Sequence, residues 1–248
     1  MPWHAKNYYG YTLSDQEGQD NVDEIATILQ NIYSIDPTYD NWSLISVAAL
    51  CGNVMNEGEL NPWRWEGDHV PTVSEFEGWT QGQGQSHGYG LFGFTPPWSY
   101  INSVNETNLY AWGYAPNFLD SAGNPNDGDA QLVYMLSIIK PNWQNRGPNF
   151  VYNNFLDSLE FAGFNDEQIS NIANMTYDDF IDGTGYTVEE LAAAYMIKFE
   201  NPSHNPLTNH IDRRIASAVE AYAYLTGNPP GPSPLFITTA NTWKFYLY

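Results

Sequence analysis

The chain has 248 residues, of which 29 are acidic and 8 basic, for a formal charge of −21. So acidic a balance excludes a nucleic-acid partner, whose phosphates demand Lys and Arg, and an anionic membrane surface. The single cysteine, Cys51, excludes an intramolecular disulfide, and the length allows one large domain or two small ones.

The start, Met1-Pro2-Trp3-His4-Ala5-Lys6, lacks the charged and apolar regions of a signal peptide. No apolar run approaches the length of a membrane span. A soluble chain without an N-terminal export signal is expected. Residues 1–20 show no period and predict an irregular arm. From Val22 an apolar stripe recurs at helical spacing through Ile25, Ala26, Leu29, Ile32 and Tyr33, and Pro37 ends it. A second helix is predicted from Ser43 to Glu57. It is almost wholly apolar at first, as a buried central helix is, and Gly58 stops it. Cys51 lies in its apolar run and reads as a buried structural thiol.

Residues 58–128 are rich in Gly, Pro, Asn and Trp. They predict long loops with room for a small hairpin, and so long an irregular stretch in a compact domain is usually functional. Helices are predicted again over about 130–139, with Pro141 as the stop, and over 166–173. Thr187 and Glu190 spell a capping box that opens a further helix, with a stripe of Val188, Leu191, Ala192, Tyr195 and Phe199. A last helix covers about 209–226, closed by Gly227. Residues 228–248 begin as a proline-rich linker and end in an apolar tail. The domains expected are an arm over 1–20, one body over 21–227, and the linker and tail over 228–248. The fold class is mostly α, with a small β contribution.

Chemistry concentrates in three segments. The first runs from Gly52 to Glu66, where Glu57 ends the apolar helix and faces a loop containing Trp63 and Trp65. The carbonyl end of a helix disfavours a carboxylate, and neighbouring tryptophans would desolvate it. Such a setting favours a carboxyl that keeps its proton and acts as a general acid. An ordinary solvated helix-end glutamate is the alternative. The second segment is His87-Gly88-Tyr89-Gly90-Leu91-Phe92-Gly93-Phe94-Thr95-Pro96. Its glycines allow close backbone approach and its aromatics offer a stacking face; a tight hairpin with a buried apolar centre is the competing reading. The third is Phe199-Glu200-Asn201-Pro202, at the end of the capped helix. Asp68, His69 and His87 lack zinc-ligand spacing, and the glycines at 82, 84, 88 and 90 have no nearby Lys for a phosphate loop. Neither a metal nor a cofactor is expected.

Taken in order, these segments resemble the phage tail lysozyme family, within the wider lysozyme and lytic transglycosylase superfamily. The family's Gly-Asn-Met-x-x-Glu-Ser segment, leading into Ile-Asn-Pro and a Trp, is matched by Gly52, Asn53, Glu57, Asn61, Pro62 and Trp65. Its Gly-Tyr-Gly-Leu-x-Gln-Trp-Thr-Pro segment is matched by Gly88, Tyr89, Gly90, Leu91, Thr95 and Pro96. Its Tyr-Glu-Arg-Pro segment is matched by Phe199, Glu200 and Pro202, followed by a helix with Arg213 and Arg214. Among the departures, Gly58 stands for the serine, Gly93 for the glutamine, Phe94 for the Trp, and Asn201 for the arginine.

The resemblance implies a lysozyme-like α+β domain of a phage tail. It implies cleavage of peptidoglycan between N-acetylmuramic acid and N-acetylglucosamine, with Glu57 as catalytic acid. Peptidoglycan glycan strands and other tail proteins are the implied partners. Asn53, Trp65, Tyr89, Gly90, Phe94 and Glu200 are candidate substrate-binding residues. Glu66, Asp68, Glu75 and Glu77 are open candidates for a second carboxylate. A lytic transglycosylase, or a non-catalytic glycan-binding module on the same frame, are the alternatives.

Overall fold

The computed structural model describes residues 3–6, 9–64, 88–95, 99–100 and 127–228. The expected second-carboxylate candidates Glu66, Asp68, Glu75 and Glu77, together with Trp65, His69 and His87, lie outside them, as does the tail from 229. Nine α-helices of four residues or more carry the described chain: α1 (Gln16–Gln30), α2 (Ile32–Ile35), α3 (Leu44–Glu57), α4 (Asp127–Asn145), α5 (Pro148–Phe161), α6 (Asp166–Asn174), α7 (Tyr177–Asp182), α8 (Val188–Tyr195) and α9 (Ile211–Thr226). A π-helical turn, Met196–Glu200, extends α8. By its contacts the chain divides into two compact units, one of Met1–Tyr39 with Val54–Ile139, the other of Asp40–Asn53 with Lys140–Tyr248. α3 and α4 each run from one unit into the other.

In the first unit, α1 buries Val22, Ile25, Ala26 and Leu29, as its stripe predicts, while Tyr33 is exposed. The helix starts at Gln16, so the expected arm boundary at residue 20 falls inside it. The arm is fastened by side chains. Trp3 is buried and its indole N–H donates to Asp129 on α4 (2.6 Å). Asn21, buried on α1, accepts from the His4 backbone N–H and donates to the carbonyls of His4 and Leu60. A buried amide holding three backbone groups fixes this segment where apolar packing alone would let it slide.

In the second unit, α3 crosses α9 at Gly52, where an added Cβ would strike the backbone of Ala218. Small residues at this crossing let two helix backbones approach closely. Ser43 and Ser46 tie the start of α3 to the end of α7: the Ser43 N–H donates to the Ile181 carbonyl (2.8 Å), and the Ser46 hydroxyl donates to that of Phe180. Many of the chain's aromatic rings serve this core. Phe180 meets Trp42 edge-on (5.3 Å between centroids), Trp143 at 4.7 Å and Tyr195 at 5.9 Å. The capping box expected at Thr187 is present, and two more open α6 at Asn165 and α7 at Thr176. α4 differs from expectation, since it runs through Pro141 to Asn145. Proline removes one backbone donor and kinks a helix without forbidding it, and here it lies just past the point where α4 changes unit.

Lys198, in the π-helical turn, is a core residue, only 2 % exposed. Its ammonium donates to the carbonyls of Ala173 and Met175, each at 2.9 Å. Burial is the main cause that lowers its pKa, to about 8, with Asp179 acting in the opposite direction. Between about 8 and the ordinary lysine value the unfolded chain binds more protons than the folded one, so stability rises with pH there. Above about 10 the opposite linkage from Tyr11, raised to about 12, takes over. Urea unfolding of the wild type should therefore show a gain on the order of 1–3 kcal/mol from pH 8 to 10. Lys198→Met should lack that gain; an identical pH profile in the variant would refute the assignment.

Candidate active site

Glu57 is the last residue of α3, and the chain reverses directly after it. Glu59 and Leu60 both take left-handed backbone angles (φ 47° and 56°), each unfavourable for a residue with a side chain. The turn is held from several sides. The N–H groups of Gly10 and Tyr11 donate to the Glu59 carboxylate (2.9 Å) and carbonyl (2.6 Å), and Asn21 donates to the Leu60 carbonyl (2.7 Å). Asn61, fully buried, spends its side chain on the backbone of Lys6, Tyr9 and Trp63. Arg64 completes the lacing: its guanidinium donates to the Glu57 carbonyl (2.7 Å) and pairs with Glu59 (3.1 Å), while its own carbonyl accepts from the Gly90 N–H (2.8 Å).

That last bond brings in the second segment. Tyr89 and Phe94 exchange backbone hydrogen bonds (3.3 and 2.9 Å), closing a tight loop through Gly90 and Gly93. This bridged pair stands where a small hairpin was expected, and there is no longer strand among the described residues. The loop rests on the end of α3 with no side chain between them. A Cβ on Gly58 would collide with the Gly90 carbonyl and the Leu91 backbone. A Cβ on Gly93 would lie 2.6 Å from the Glu57 carboxylate oxygen Oε2. Gln131, buried on α4, pins the loop by accepting from the Leu91 N–H and donating to the Pro62 carbonyl (both 2.7 Å). Gly90 has φ 79°, and a side chain there would run into Gln131. The half-buried Glu57 carboxyl thus sits against a glycine loop held at both ends.

Two of the rings expected to face a ligand do not. Tyr89 is fully buried and stacks on Tyr100 (6.2 Å), and Phe94 packs between Tyr100 (5.2 Å) and Tyr134 (5.1 Å). Their hydrophobic area is spent in the core, which corrects the expectation of an open stacking face and favours the tight, apolar-centred loop. Trp63 is buried as well.

The third segment forms a separate cluster in the second unit. Arg214, 5 % exposed, pairs with Glu200 and donates to Asn53 Oδ1 (3.1 Å) and to the Asn209 carbonyl (3.1 Å). The Asn53 amide in turn donates to the carbonyls of Ala49 and Ala192 (3.0 and 3.1 Å). Asn53 and Glu200, expected as substrate contacts, therefore have internal partners in this cluster. Among the described residues no group of three or more His, Cys, Asp or Glu gathers as a metal site, and no helix is long and apolar enough to cross a membrane.

Sequence reasoning missed Arg64 and Gln131, which set the position of the helix end and the loop. Gln131 left a faint signal, as a polar residue beside Leu132 on a predicted apolar helix. Arg64 left none, because no sequence pattern marks its partners, the Glu57 carbonyl and the Glu59 carboxylate.

A family model described as phage tail lysozyme matches residues 30–225. No curated protein matches the chain significantly. The chain belongs to the phage tail lysozyme family, which brings a lysozyme-like, peptidoglycan-degrading function and a place in the virion tail.

Two outcomes follow from the geometry. Gly58→Ala should cost about 1–3 kcal/mol in urea unfolding, as overpacking against backbone does; an unchanged midpoint would mean the loop yields freely. Arg214→Met should cost roughly 3–5 kcal/mol, because Glu200 is left buried without its partner. Full recovery of stability in the double variant Arg214→Met with Glu200→Gln would identify the stranded charge as the cause, whereas a persisting loss would assign it to the bonds to Asn53 and Asn209.

Proposed function

We propose that this member of the phage tail lysozyme family hydrolyses the peptidoglycan glycan strand between N-acetylmuramic acid and N-acetylglucosamine, with Glu57 as general acid. The observation that carries this reading is the Glu57 carboxyl at the end of α3, set against Gly93 in a glycine loop tied to the same turn. Gly93 lets the loop backbone come close to the carboxyl, as a residue with a side chain could not. Glu57 gives its proton to the glycosidic oxygen as the C–O bond breaks, and positive charge develops on the sugar ring. Water then adds to the anomeric carbon. A second carboxylate that orients this water or stabilises the ring is sought among Glu66, Asp68, Glu75 and Glu77, and Trp65 is the ring proposed to stack on a sugar. The spacing between the two carboxyl groups decides inversion against retention.

Glu57→Gln should keep the fold and lower clearing of purified cell walls by about 10²-fold or more, the typical size of a general-acid contribution. Near-normal clearing by the folded variant would defeat the assignment. Mass analysis of wild-type fragments separates the chemistries. Hydrated reducing ends mark a hydrolase, and anhydro ends mark a transglycosylase. A folded wild type that binds walls without cutting them would be a glycan-binding module.

A further inference from the structure

A cavity of about 360 Å³ lies in the second unit, away from Glu57 in sequence and unused by the chemistry above. Lys198, Trp143 and Met175 line it beside Lys140, Tyr177 and Pro148. Lys198 is the unusual member. It is almost fully buried, and among the described residues its ammonium meets two carbonyls at the end of α6 and the face of Trp143, 5.8 Å away. An ammonium group has three hydrogens to donate, and these bonds use two. Among the described residues Lys198 has no carboxylate at ion-pair distance, and a buried ammonium without a counter-ion is costly.

A second feature of the wall has the same sign. α5 begins there, at Pro148, and its N-cap is Gly147, which supplies no capping side chain. The N-terminal end of a helix carries partial positive charge; here Pro148 has no N–H to offer and the N–H groups of Phe150 and Val151 donate to the Gly147 carbonyl (3.0 and 3.4 Å). Lys140 adds a further cation, shared with Asp178 at 3.2 Å, and Asp178 is the one acidic residue of the wall. In a chain with a formal charge of −21, a cavity in which Asp178 is already paired with Lys140 and the buried Lys198 ammonium has only carbonyl acceptors selects an anion. The apolar surface of Ala173, Met175 and Trp143 suits a methyl-sized side chain beside that anion, and the exposed amide of Gln144 suits a peptide group.

We propose that this cavity binds the free C-terminal carboxylate of a short peptide with small side chains, with the carboxylate paired to Lys198. The cross-linking peptides of a cell wall are one carrier of this chemistry. That connection rests on the proposed function, whereas the binding itself does not.

The test uses the full chain and the probe N-acetyl-D-alanyl-D-alanine, read by calorimetry and by the indole N–H resonance of Trp143. Binding with Kd of about 1 mM is expected, and the C-terminal amide of the probe should bind about tenfold more weakly or worse, since it lacks the charge. Lys198→Met should lose binding by a similar factor. Should that variant not fold, Gly147→Asp serves instead. A Cβ at Gly147 meets nothing within 4 Å, aspartate is a favoured N-cap, and its carboxylate would compete at the helix start, so a stable protein with weakened binding is expected. Glu57→Gln should bind the probe as the wild type does, so loss of glycan cleavage and loss of peptide binding are separable results. Equal affinity for acid and amide, tighter binding of inorganic phosphate, binding untouched by either cavity variant, or no binding at about 10 mM probe would each overturn the proposal.

Discussion

The candidate site depends on one contact, the meeting of Gly58 with the backbone of Gly90 and Leu91. A helix end and a loop touch there without a side chain between them, so the distance from Glu57 to the loop is set by backbone atoms. Backbone contacts cannot relax by changing rotamer, and a close-packed interface transmits small displacements. The hydrogen bond from the Gly90 N–H to the Arg64 carbonyl and the clamp by Gln131 keep the surfaces in register. This geometry gives one account of two departures from the family pattern. A serine at 58 would push the loop outward, and a side chain at 93 would have to share space with the Glu57 carboxylate. Glycine at both positions is a joint solution in which the loop moves inward and the carboxyl sits against backbone.

Such closeness has a cost, visible in the two consecutive left-handed residues Glu59 and Leu60. Strained backbone of this kind persists only where its surroundings over-determine it. Here much of that surrounding is the N-terminal arm. Gly10 and Tyr11 hold Glu59, and Asn61 is fastened to Lys6 and Tyr9. The segment that looked least structured in the sequence is thus part of what keeps the helix end in place. It was illegible because the arm takes part in these bonds through its backbone, and residues that serve through their backbone can be of almost any type.

What was legible follows the same division. The stripes of α1 and α8, the capping box at Thr187 and the Gly227 stop of α9 are local patterns, and the structure repeats them. Helices α5 and α7 carried comparable signals that the sequence reading left unused, a proline at the first helical position (Pro148) and a Thr176 to Asp179 capping box. The position of Glu57 at the end of a largely buried helix was readable from apolar composition and Gly58. The orientation of aromatic rings was not. Tyr89 and Phe94 have the same composition whether they face a sugar or a core, and only the packing of Tyr100 and Tyr134 around them decides it. Asn53 and Glu200 are similar: polar residues near a motif look like ligand contacts until Arg214 is seen between them.

The few basic residues are used mostly inside the fold. Arg214 answers Glu200, Arg64 holds Glu59 and the Glu57 carbonyl, Arg146 donates to the Phe199 carbonyl, and Lys198 covers the end of α6. Lys6 lies over the ring of Tyr11 and Lys140 pairs with Asp178. Cations spent in this way leave an outer surface dominated by carboxylates, which cannot draw the molecule to an anionic wall by long-range attraction. An enzyme carried on a virion tail has no need of that attraction, because the particle brings it to the wall and fixes its effective concentration there. Short-range, geometry-dependent contacts then decide whether the glycan is engaged. On this view a place in the virion tail and a strong negative charge are compatible.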